Sequence, residues 1–210
     1  QTKIIICICL VFISCTNFKA YFNTFYNAEI YFEKAEKSRL QNRGQVLPKI
    51  AVDNYKKVIE KSKIVIDEFP ESKLRKDALL LTVKSQFHLQ EYNNAQGALS
   101  LMNTEFGSAV QFEAAFWSSM IKWKEGKVQP AINDLSKLIK EDNASNKKAK
   151  IFLAIAEIYF DQKMISLSMD NLVKAAEYIR DPNEKGQIYY RIADISFKEN
   201  NLDRALEAYK

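Results

Sequence analysis

Lys150 to Ala176 reads KIFLAIAEIYFDQKMISLSMDNLVKAA. Phe152, Ile155, Ile158 and Tyr159 recur at i, i+3, i+6 and i+7, which places them on one face of a helix. Two small residues, Ala156 and Ser168, stand twelve positions apart among these large ones. Two antiparallel helices approach closely only where side chains are short. The spacing therefore predicts a helix pair that crosses at Ala156 and Ser168.

The same pattern occurs in three other places. DALLLTVKSQFHLQEYNNAQGALSLM starts at Asp77, EAAFWSSMIKWKEGKVQPAINDLSKLI at Glu113, and QIYYRIADISFKENNLDRALEAYK at Gln187. Aligned, they put Ala95, Ala131, Ser168 and Ala205 in register, a period of 36 to 37 residues. Twelve positions earlier stand Val83, Ser119, Ala156 and Ala193; seven later stand Met102, Leu138 and Ala175. This recurrence resembles the tetratricopeptide repeat, whose usual period is about 34 residues. A single helix pair cannot bury its apolar stripes alone, so neighbouring pairs must stack. Breaks fall at Gly126, at Asn143 to Asn146, at Asp181-Pro182 and at Asn200-Asn201. With only five Gly and four Pro in 210 residues, a turn-rich sheet fold is disfavoured. The expected fold is all-α, an α-solenoid of antiparallel helix pairs coiled into a tetratricopeptide-like superhelix.

Upstream, Phe18 to Arg43 and Pro48 to Phe69 read as two long amphipathic helices, separated by Gly44 to Leu47 and closed by Phe69-Pro70-Glu71-Ser72. This pair is expected to be a divergent repeat that caps the array. The expected organisation is thus a signal segment over 1–14, the capping pair over 15–72, and four repeats over 73–210, the last truncated.

Lys3 precedes the apolar run Ile4 to Ile13. Ten residues are too few to span a bilayer, which takes about 20, but they suit the apolar region of a secretory signal. The run ends in Phe12-Ile13-Ser14-Cys15, which resembles a bacterial lipobox, with Phe12 in place of the usual leucine. The resemblance implies cleavage before Cys15 and its lipidation; an ordinary signal peptide or an uncleaved anchor are the alternatives. Cys7 and Cys9 would leave with the signal, so no disulfide or cysteine metal site is expected. Thr16 after the cysteine, by resemblance to such lipoproteins, implies the periplasmic face of the outer membrane.

Two further stretches, YFNTFYNAEIYFEKAEK from Tyr21 and IDEFPESKLRKDALLLTVKSQFHLQEYNNA from Ile66, resemble bacterial tetratricopeptide-repeat lipoproteins. That group is similar to the lipoprotein subunit of the outer-membrane β-barrel assembly machinery. The resemblance covers residues 15 to 140 and implies a periplasmic platform for partner proteins, among them a β-barrel membrane protein complex. Members usually carry a second Phe-Pro-x-Ser close, where this chain has Glu105-Phe106-Gly107-Ser108. Other readings are an adaptor of secretion, motility or cell-wall machinery, or the binding part of a longer lipoprotein with a catalytic domain beyond residue 210.

In stacked helix pairs the first helix of each pair lines the concave side. One register position there holds Phe87, Trp123, Phe160 and Phe197; a second holds Leu80, Phe116, Leu153 and Tyr190. These two apolar rows are the candidate groove for a peptide partner; the alternative is that the aromatics pack against the next helix. Between them stand Lys84, Met120, Glu157 and Asp194, which suits a mixed-charge ligand. If Trp123 contacts ligand, Trp123→Ala weakens capture and spares the helices.

The remaining function classes find no motif. His88 is the only histidine, and the carboxylates are scattered along polar faces. There is no phosphate loop, zinc-protease motif or nucleophile elbow. The net charge of +5 is spread without a basic stripe. No enzyme activity, cofactor, metal, small-molecule substrate or nucleic acid is expected.

Overall fold

The computed structural model describes residues 24–42, 46–141 and 144–209. The signal segment and Cys15 lie outside the described residues. The described residues form helices and their connections, without a strand. They separate into two compact units, with the boundary between Ile121 and Lys122, inside a helix.

In the N-terminal unit, α1 (Tyr26–Gln41) pairs with α2 (Lys49–Glu68), and α3 (Arg75–His88) pairs with α4 (Tyr92–Phe106). α3 also packs on both α1 and α2. A 3-10 turn, Gly107–Val110, leads into α5 (Gln111–Lys124). The buried face joins Phe25, Ala28, Val58, Val65, Ala78 and Leu81 in one cluster, and Ala35, Ala51 and Tyr55 in another. Val83 and Ala95, the predicted crossing of α3 and α4, are both fully buried.

The C-terminal unit contains α6 (Val128–Glu141), then the pairs α7 (Ser145–Asp161) with α8 (Ile165–Tyr178) and α9 (Pro182–Lys198) with α10 (Leu202–Tyr209). α7 packs on α6, and α9 on α8. Ala156 and Ser168 meet as the sequence requires. Both are fully buried, and Ser168 Oγ donates to the Ala156 carbonyl at 2.8 Å. Ala193 and Ala205 are buried at the equivalent place in α9 and α10. The unit's core runs from Ala156 through Met169, Leu172, Ala175 and Ala176 to Ile188, Ile192 and Ile195.

One turn recurs at the repeat period. Gln90, Gly126, Lys163 and Asn200 all have left-handed backbones, with φ of 64°, 84°, 61° and 58°. Each follows a helix, and each turn closes with the same two hydrogen bonds. Gln90 N–H donates to Phe87 O and Glu91 N–H to Gln86 O; the Lys163 turn repeats this on Phe160 and Tyr159. The carbonyls left open at a helix C-terminus are thereby satisfied. α9 starts differently, with Pro182 in its first turn and the Asp181 carboxylate accepting from Glu184 N–H at 2.8 Å. The fold is an α-solenoid type of array, helix hairpins of tetratricopeptide-like construction within each unit.

Candidate protein-docking surfaces

The groove residues read from sequence divide by burial. In the N-terminal unit Phe87 and Phe116 are buried and Leu80 is half-buried. Phe87 meets Trp117 at 5.3 Å between ring centroids, Tyr92 at 5.8 Å and His88 at 5.3 Å. Trp117 meets Phe116 at 5.4 Å, and Phe116 stacks on Phe112 at 6.1 Å. Apart from the stacked Phe112–Phe116 pair these contacts are edge-to-face, an arrangement that fills a core. Phe87 and Phe116 are therefore withdrawn from the docking surface.

Trp123 is withdrawn as well. It is 8% exposed; its indole Nε1 donates to Asp161 Oδ2 at 3.2 Å, and Lys124 Nζ lies 3.4 Å from its ring centroid. Burial pushes the Lys124 ammonium below the usual lysine range, against the pull of Asp161 and Glu157. Leu153 and Phe160 on α7 are half-buried against the core of the C-terminal unit. The Arg191 guanidinium covers Phe160 at 5.9 Å and donates to Glu157 Oε1 at 2.7 Å.

Tyr190 and Phe197 on α9 stand out from the other six: each is 64% exposed. The reason is one of register. Leu153, Phe160, Ile165 and Met169 form the stacking face of the α7/α8 pair, and the core to which α9 contributes Ile188, Ile192 and Ile195 covers them. Thirty-seven residues on, the same four positions are Tyr190, Phe197, Leu202 and Leu206. All four are more than half exposed. Leu202 and Leu206 were missed by the sequence reading, which projected only the first helix of each pair. Their alignment with Ile165 and Met169 was the signal available.

The charges follow the same register. Two ion pairs tie α9/α10 to α7/α8: Arg191 to Glu157 at 2.7 Å and Arg204 to Asp170 at 3.2 Å. The positions equivalent to Glu157 and Asp170 on the exposed pair are Asp194 and Glu207. Asp194 accepts from Lys198, one turn along its own helix, at 2.8 Å. The face thus carries four large apolar side chains and two carboxylates at stacking positions.

The geometry defines a class, an all-helical repeat array built from helix hairpins. No known protein family matches the sequence, and no curated protein does. Among solved structures the chain is similar to MamA 41-end from Desulfovibrio magneticus RS-1, with 13% identity, 87% of this chain and 91% of that one covered, and a TM-score of 0.45. It is also similar to a crystal structure of MamA, with 15% identity, 83% and 90% covered, and a TM-score of 0.48.

Proposed function

We propose that this chain is a scaffold that binds other proteins, held by a lipid on Cys15 at the periplasmic face of the outer membrane and serving outer-membrane protein assembly. One observation carries the binding role. The helix hairpins cross at small side chains spaced by the repeat, Ser168 Oγ donating to the Ala156 carbonyl at 2.8 Å, and stacked hairpins of this construction offer extended surfaces to other proteins. The anchor and the assembly role rest on the lipobox-like Cys15 and on the lipoprotein resemblance of residues 15 to 140.

Two measurements test this reading. Mass spectrometry of the protein from native membranes should find Cys15 acylated, and Cys15→Ser should release it from the membrane. Crosslinking followed by mild detergent extraction should recover a β-barrel membrane protein. Recovery of a secretion, motility or cell-wall partner set instead would replace the assembly role while keeping the scaffold. Recovery of no protein partner would overturn the scaffold.

A further inference from the structure

We propose that His88 is a pH-operated latch, which ties α3 to the α1/α2 hairpin while its imidazole is protonated and slackens that hold once the ring is neutral. The chain has no other histidine. His88 is the last residue of α3, and it meets both helices of the preceding hairpin. From α1, Glu36 Oε1 lies 3.5 Å from its Nε2. From α2, the Tyr55 ring stacks on the imidazole, with centroids 5.3 Å apart and planes at 23°. Trp117 of α5 meets the ring edge-on at 6.3 Å. The His88 side chain is only 16% exposed, so water screens this contact less than it screens a surface ion pair.

Three features favour the charged ring: the Glu36 carboxylate, the phenol face, and the open carbonyls at the C-terminus of α3. Arg39 and burial oppose it. Burial also pushes the Glu36 carboxyl up, but the Arg39 hydrogen bond and then the charge of His88 outweigh burial and hold that carboxyl below the usual range. Coupling between two groups is reciprocal, so a carboxylate favoured by the imidazolium favours the imidazolium in return. Tyr55, lifted by burial and by Glu36, keeps its proton at neutral pH, and Arg39 keeps its charge. Among the described residues, the other charged groups on the surrounding elements are Lys84 on α3, Glu91 before α4 and Glu113 on α5. Their side chains contact Phe32, Asn94 and Trp117. Histidine is the side chain whose ordinary range falls between about pH 5 and about pH 8. A histidine raised on folding adds stability that is full below its unfolded midpoint and lost as pH rises through the folded one. Mild acid therefore tightens α1/α2 onto α3, and mild alkali loosens it.

The test uses the full chain. With one histidine, the carbon-bound ring protons give a single NMR titration curve. Its midpoint should be higher in the folded chain than in the same chain unfolded in urea. Glu36→Gln should lower the folded midpoint, by about threefold in proton affinity, the size of a part-exposed ion pair. Amide hydrogen exchange over residues 28–40, taken as the ratio of parent to His88→Gln at each pH, cancels the chemistry of exchange itself. That ratio should show α1 opening about threefold more readily at about pH 8 than at about pH 5.5.

A folded midpoint at or below the unfolded one overturns the proposal, as does a midpoint indifferent to Glu36→Gln. An exchange ratio level across the window overturns the latch as well. The midpoints are read with His88 in place, so they decide even where His88→Gln does not fold. Where Glu36→Gln also fails to fold, the comparison of folded with urea-unfolded parent decides alone.

Discussion

Glu36 sits where three elements of the N-terminal unit meet. Arg39 donates to both its oxygens, at 3.0 and 2.6 Å, the Tyr55 hydroxyl of α2 donates to Oε1, and His88 Nε2 at the end of α3 lies 3.5 Å away. Burial alone pushes the Glu36 carboxyl up. The Arg39 hydrogen bond, the charges of His88 and Arg39 and the Tyr55 hydroxyl outweigh it and hold the group below the usual glutamate range. The same contact, with burial as the larger cause, lifts the Tyr55 phenol well above its ordinary range. A carboxyl depressed in the folded state adds stability above its unfolded value, and that stability is lost as pH falls through the folded value. Acidification from pH 6 towards pH 3 should therefore destabilise the N-terminal unit more in the parent chain than in Glu36→Gln, which lacks that titration. Urea melts across this window would check it, and parallel loss in both proteins would refute it. At pH 7 the substitution should cost about 1–3 kcal/mol, because Arg39 loses a charged acceptor in a part-buried site. Trp123 gives the second residue-scale prediction. Trp123→Ala should lower stability by about 3–5 kcal/mol, the usual cost of deleting a buried aromatic. Thermal melts by circular dichroism read this directly, and an unchanged midpoint would return Trp123 to the surface.

At the scale of elements, the recurring left-handed turn sets where each helix pair folds back. Only Gly126 of the four such residues lacks a Cβ; Gln90, Lys163 and Asn200 adopt the same backbone with a side chain present. Non-glycine residues in this region carry roughly 1 kcal/mol of strain. Lys163→Gly should accordingly stabilise the α7/α8 hairpin by about 1 kcal/mol, and Gly126→Ala should destabilise by a similar amount. Opposite signs in denaturant midpoints confirm the turn's role. Gly107 differs again, with φ of 48° at the end of α4. Proline, fixed near −65°, cannot adopt that backbone, so Gly107→Pro would force this close to rearrange. Glu105 beside it pairs with Arg75 at the start of α3, at 2.7 Å, so this close is tied to its own hairpin by charge.

For the molecule as a whole, the contrast is between small buried positions and large exposed ones. Ala193 is fully buried and Phe197, one turn along the same helix, is 64% exposed. Ala193→Leu should disrupt the α9/α10 crossing and cost at least 1–3 kcal/mol through overpacking. Phe197→Asp should leave the melting curve within about 0.5 kcal/mol of the parent, as surface changes usually do. A Phe197→Asp chain that unfolds would show this face to be core. The helices, their pairing and their close crossings were legible before any coordinates. Periodicity and side-chain size are local properties, and Ala95, Ala131, Ser168 and Ala205 are all buried where their spacing put them. The turns at Gln90 and Lys163 were not legible, because neither residue type announces a left-handed backbone. Docking residues were legible only as a row: one register position holds Phe87, Trp123, Phe160 and Phe197, and the sequence ranks them equally. The chain by itself determined that these aromatics recur at a common helical position. Tertiary packing alone decided which of them water reaches, because exposure depends on whether neighbouring side chains cover the ring, and a repeat pattern is blind to its neighbours.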